Sequence, residues 1–201
     1  MTATILLIRH AEHGDFDQRL SGRRPGVSLS ERGRAQAASL ADRLTRAGID
    51  RIETSPLERT RETAAAVAAA CAVPVREQPA LIEIDMGEWT GRQFGTFGDD
   101  PAWRAWNEHR GTARIPGGET MDEAQARIVG HLRATAVGEE GRTIAMVSHS
   151  DMIRAAIAWA LGLPLDNLLR FDIGPASVSR LVVGDWGAKV LSINEGITLD
   201  G

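Results

Sequence analysis

Apolar positions along the chain fall into two formats. The first is a short unbroken run that ends in a polar residue. Ile5, Leu6, Leu7 and Ile8 run into Arg9 and His10, and the stretch TIAMVS at 143–148 runs into His149. Runs of this length bounded by polar residues suit strands buried on both faces. The second format repeats at three and four residues. Ala37, Leu40, Ala41, Leu44 and Ala47 fall on one helical face, with Gly48 as the stop. Ser28 and Glu31 have capping-box spacing ahead of that helix, and Ser30 is an alternative N-cap. A second strand is expected over 49–54. Ser55-Pro56 then opens a helix whose alanine-rich body runs to about Ala72. Residues 73–75 begin a third extended segment that reaches towards Ile84. Helices are expected from Glu119 to about Val137, ended near Gly138, and over 152–161, stopped by Gly162 and Pro164. The stretches 177–183 and 189–193 read as a hairpin about Gly184-Asp185-Trp186-Gly187.

Strands that alternate with helices imply a three-layer α/β/α fold, a mainly parallel sheet with helices on both faces. Residues 88–118 break the alternation. Here Trp89, Phe94, Phe97, Trp103 and Trp106 stand among Gly, Asp and Arg. That composition predicts a small helical cap inserted into one domain spanning 1–201. A length of 201 residues fits one domain with an embedded cap.

Composition narrows the function classes. Hydrophobic content of 43% and charged content of 25% are ordinary for a soluble globular protein. A net charge of −4 gives no case for nucleic acid or for an anionic membrane. Of the 23 basic residues only Lys189 is lysine, and arginine offers a planar fork of donors suited to phosphate and carboxylate. Cys71 is the single cysteine, so no intrachain disulfide is expected, and it reads as a small core residue. No stretch approaches the roughly 20 apolar residues of a membrane-spanning helix. A cytoplasmic protein is therefore expected. A homodimer is open, as the commonest symmetric assembly.

The candidate chemistry gathers where apolar runs end. Arg9-His10, Ser55-Pro56-Leu57-Glu58-Arg59, Leu81-Ile82-Glu83 and Ser148-His149 share one format, a strand-like segment followed by a polar group. Parallel strands would bring these ends to one edge of the sheet, where ligands of open α/β folds bind. Two histidines, two arginines and a glutamate suit phosphoryl transfer to nitrogen. A neutral histidine is nucleophilic near pH 7. Two guanidinium groups can hold the equatorial oxygens of a phosphoryl group and disfavour the imidazolium form. A carboxyl group beside the phosphate keeps its proton and can deliver it to the leaving oxygen. No metal or cofactor is required. Glu12, Asp85 and Glu88 compete with Glu83 for the acid role, and His10, His13 and Asp15 are the alternative as a metal cluster.

Five ordered motifs resemble the histidine phosphatase superfamily, which contains the cofactor-dependent phosphoglycerate mutases. Ile8-Arg9-His10-Ala11-Glu12 resembles its Arg-His-Gly-Glu signature. Residues 55–64 resemble its second motif and 81–91 its third. Pro116-Gly117-Gly118-Glu119-Thr120 is similar to a segment common in its phosphatase branch, and 147–154 to its second histidine motif. Together they span about three quarters of the chain. The resemblance implies His10 as the phosphorylated nucleophile and Glu83 as proton donor. It implies Arg9, Arg59 and His149 as the phosphate pocket. The pattern departs at Ala11, His13, Phe16, Leu20 and Ser150. The expected activity is a metal-independent phosphomonoesterase acting on a small phosphate ester. The alternatives are a phosphoglycerate mutase, against which the cap is short, and a non-catalytic phospho-ligand module, which would lack the nucleophile or the acid.

Overall fold

A computed structural model describes residues 1–196. Six strands form one sheet: β1 (Thr2–Arg9), β2 (Arg51–Thr54), β3 (Val75–Glu77), β4 (Thr143–Ser148), β5 (Val178–Gly184) and β6 (Gly187–Glu195). Their order is β3-β2-β4-β1-β5-β6. The first four are parallel, and β5 and β6 join antiparallel as the expected hairpin. The helices are α1 (Glu31–Leu44), α2 (Glu58–Cys71), α3 (Pro101–Glu108), α4 (Met121–Ala136) and α5 (Ser150–Leu161).

The run Ile5–Leu6–Leu7–Ile8 is fully buried, because side chains alternate between two covered faces. Ile5 and Leu7, with Ile144 and Met146 of β4, pack with Ile128 and Leu132 of α4 and Ile153 and Ile157 of α5. Leu6 and Ile8, with Ala145 and Val147, pack with Leu40 and Leu44 of α1 and Ala64 and Val67 of α2. Two cores on one sheet give the three-layer α/β/α arrangement.

Several boundaries differ from the sequence reading. Ser30, rather than Ser28, caps α1, its Oγ accepting from the Gly33 N–H at 3.0 Å. The helix stops at Leu44, before Ala47 and Gly48. Pro56 lies outside α2, whose N-cap is Leu57. Thr120 caps α4 through a capping box with Glu123. α5 starts at Ser150, so His149 is its N-cap. The third extended segment is the largest difference. β3 ends at Glu77, and Pro79–Leu81 is a 3-10 turn. Pro79 has no N–H for a ladder, and Arg127 takes the carbonyls of Ala80 and Ile82 that a strand would use.

No residue of 88–118 joins the sheet. The segment holds a 3-10 turn at Phe94–Thr96 and α3, which is capped by Asp100. Trp89, Phe97 and Trp106 are buried, with Trp103 stacked on Phe97 at 4.2 Å between ring centres. Among the described residues no helix is long and apolar enough to cross a membrane.

Candidate active site

The parallel register aligns the strand ends. Arg9 pairs with Ser148, and Thr54 with Val147. The chain leaves β1, β2 and β4 at one level, with His10 N–H donating to Ser148 O and Ser55 N–H to Val147 O. A cavity of about 330 Å³ opens at this edge, and Arg9, His10, Arg59 and Glu83 line it. Phe16, Phe94, Trp103, Arg110 and Ser150 line it as well. Four of the five expected site residues thus face one space, although Glu83 reaches it from a loop rather than from a strand end.

His10 is 4% exposed. Its Nδ1 lies 2.7 Å from Ala11 O. A carbonyl only accepts, so Nδ1 carries the hydrogen and Nε2 keeps its lone pair. Burial, then the nearby Arg59 and Arg9 guanidinium groups, hold the ring well below the usual histidine range. The ring is neutral at physiological pH, with one nitrogen free to attack.

Arg59, in the first turn of α2, is 1% exposed. Its NH2 donates to Gly22 O at 2.7 Å and meets His149 Nδ1 at 3.3 Å. Its Nε and NH1, and the Nε of Arg9, are buried without a hydrogen-bond partner among the described residues. Arg9 NH1 is tied to Ile173 O at 2.6 Å. His149 is fully buried behind the cavity, 5.2 Å from the His10 ring. Because guanidinium can only donate, Nδ1 accepts and Nε2–H donates to Ser55 Oγ at 2.8 Å. Burial and Arg59 push this ring well below its usual range too.

Of the four acidic candidates, Glu83 lines the cavity and the other three do not. Burial first, then the like charge of Asp151, raise its carboxyl to about 7, against the pull of Arg59. Oε1 accepts from Ile84 N–H at 2.9 Å, and Oε2 lies 3.8 Å from His149 Nδ1. Glu12 instead accepts from Ser30 Oγ, and Asp85 pairs with Arg23. The metal-cluster alternative does not assemble. Asp15 turns to Arg24 at 3.0 Å and to Ser21, while its N–H donates to His13 Nδ1.

Sequence reasoning missed the roles of two residues at this site. Ser55 was read as a helix opener, yet it holds His149; its place inside the second motif was the available signal. Arg110 is 6% exposed, stacks on Trp106 at 3.9 Å and reaches Asp151 at 3.4 Å. Nothing in its local sequence separates it from the many solvated arginines.

Residues 5–196 match the model of the histidine phosphatase superfamily, branch 1. The chain belongs to that superfamily. Phosphoserine phosphatase 1 of Hydrogenobacter thermophilus is 32% identical, over 94% of this chain and 91% of that protein. A probable phosphoglycerate mutase of Cronobacter sakazakii is 34% identical, over 88% of this chain and 83% of that protein. Among solved structures, a mycobacterial glucosyl-3-phosphoglycerate phosphatase superposes with a TM-score of 0.83 at 27% identity, over 98% of this chain and all of that one.

Proposed function

We propose that this protein is a phosphomonoesterase that hydrolyses a small phosphorylated metabolite through a phosphohistidine at His10. One observation carries the reading: the Ala11 carbonyl fixes the Nδ1–H tautomer, leaving Nε2 as a neutral nucleophile beside two guanidinium groups. The relatives named as phosphatases support hydrolysis as the outcome.

His10 Nε2 attacks phosphorus as the bond to the ester oxygen breaks. The Arg59 and Arg9 guanidinium groups, which line the cavity, receive the equatorial oxygens, whose charge is spread in the transition state. His149 completes the phosphate pocket by backing the Arg59 guanidinium. Glu83, whose carboxyl is raised to about 7, gives its proton to the leaving oxygen. Water then attacks the phosphohistidine and Glu83 takes its proton. The P–N bond breaks and the electron pair returns to Nε2.

The test is to trap the phosphoenzyme from a labelled substrate. The label should be acid-labile, base-stable and attached at Nε2 by NMR, and His10→Ala should lose both label and turnover. Labelling of that variant, or attachment at Nδ1, overturns the assignment. The relative named as a probable phosphoglycerate mutase makes transfer the second reading. Transfer of the label to added phosphoglycerate rather than to water would establish it.

A further inference from the structure

Glu83 stands on neither a helix nor a strand, so something other than regular structure must aim its carboxyl. The backbone around it is held by side chains from three distant segments. Arg127 NH1, on α4, donates to Ala80 O at 3.0 Å and to Ile82 O at 2.8 Å. Ser148 Oγ donates to Leu81 O at 2.7 Å. Arg23 Nε, from the loop after β1, donates to Glu83 O at 2.8 Å. The carbonyls of residues 80, 81, 82 and 83 are all taken.

The two arginines meet on one atom. Glu119 Oε2 accepts from Arg23 NH2 at 2.9 Å, from Arg127 NH2 at 2.9 Å and from Asp85 N–H at 3.0 Å. Glu119 belongs to the Pro116-Gly117-Gly118-Glu119-Thr120 motif, which the mechanism above does not use. That motif lies directly on the acid's loop. Glu119 N–H donates to Asp85 O at 3.0 Å, and Glu88 N–H to Pro116 O at 2.9 Å. A Cβ on Gly87 would lie 2.2 Å from Pro116 O, and one on Gly118 2.3 Å from Asp85 O. Only glycine at both positions allows the two backbones to meet.

We propose that Glu119, acting through Arg23 and Arg127, is a positioning residue that fixes Glu83 relative to the bound phosphoryl group. The proposal rests on Glu83 as the acid. It also explains why Arg23 follows Gly22. The Gly22 carbonyl holds Arg59, and Arg23 holds the Glu83 backbone. Two adjacent residues thereby tie the phosphate-binding arginine and the acid to one frame. Glu119, Arg23 and Arg127 are each between a fifth and a third exposed, so removing one charge leaves the core intact.

The test compares Glu119→Ala, Glu119→Gln and Glu83→Gln on an alkyl phosphate and on para-nitrophenyl phosphate, whose nitrophenolate needs no proton. Misplacing a catalytic group by about an ångström costs on the order of 10²-fold. Glu119→Ala should therefore lose about 10- to 100-fold in kcat/KM on the alkyl ester and less than about threefold on the aryl ester. Inhibition by vanadate, which probes the phosphate pocket, should stay within about twofold. Glu119→Gln keeps an oxygen in place and should recover part of the loss. In Glu83→Gln the added Glu119→Ala should cost nothing further on the alkyl ester. If Glu119→Ala folds poorly, Arg127→Lys removes the two-sided bridge and should show the same substrate bias. Equal losses on both substrates, or none, in Glu119→Ala while Glu83→Gln keeps its bias overturns the positioning role alone. A Glu83→Gln variant without the bias overturns the acid assignment itself.

Discussion

Burial acts in opposite senses on His10 and Glu83. It removes the charge from the imidazole, and it keeps the proton on the carboxyl. On the proposed mechanism the nucleophile and the acid are therefore both ready at the same pH. The sign of the pH dependence follows. The acid form of Glu83 is used up as pH rises through about 7, so kcat/KM for an alkyl phosphate should decline above that point. His10 titrates well below 6.5, so its acidic limb lies lower still. Glu83→Gln should flatten the alkaline limb at a rate lower by about 10²–10⁴-fold. A pH profile of kcat/KM for wild type and variant checks this, and an unchanged limb in Glu83→Gln would give it to another group. At this scale the sequence was informative about residue types and silent about hydrogens. Arg9, His10 and His149 were visible because each ends a buried strand. The His10 tautomer was not, because it depends on where the Ala11 carbonyl turns. Arg110 was hidden for a related reason: it packs on the Trp106 ring of α3, a contact that only the folded chain supplies.

Elements were legible where one local rule decides them. The runs at 5–8 and 143–148 became central strands because four and five consecutive buried positions leave no other placement. Readings failed where a distant group intervened. The stretch before Glu83 has strand composition, but Arg127, on a helix 45 residues on from Ile82, takes its carbonyls. Gly33 shows the same effect inside a helix. A Cβ at this position of α1 would lie 1.8 Å from the carbonyl oxygen of Glu12. That backbone cannot yield easily. Glu12 O accepts from Ser30 N–H, and Glu12 N–H donates to Gln36 Oε1 at 2.9 Å. Gly33→Ala should destabilise the fold by about 1–3 kcal/mol, the usual cost of overpacking. It should also depress activity, since residues 10–12 must shift. Urea titration and kcat/KM check both effects, and a variant as stable and active as wild type would show that the approach is loose.

At the scale of the molecule, three parallel strands, β1, β2 and β4, carry residues from distant parts of the sequence to one edge, which is why short motifs spread over the chain converge on one cavity. What the order of motifs could not convey is that the pocket is built with hydrogen-bond donors to spare. Arg59 Nε and NH1 and Arg9 Nε are withdrawn from solvent with no hydrogen-bond partner among the described residues. An uncompensated buried donor costs about 1–3 kcal/mol, and an oxyanion bound by the Arg9 and Arg59 guanidinium groups should offset part of that cost. Conformational stability and ligand concentration are then linked by mass action. At 100 times its dissociation constant an anion adds about 2.7 kcal/mol to the folded state. For a chain of this size that corresponds to a rise of about 5–10 °C in Tm. Inorganic phosphate or vanadate should produce it, chloride at equal ionic strength should not, and Arg59→Ala should abolish most of it. On the proposed mechanism the same coupling should make released phosphate, the reaction's own product, both a competitor for the pocket and a stabiliser of the fold, so that accumulating product should slow the enzyme while protecting it from heat.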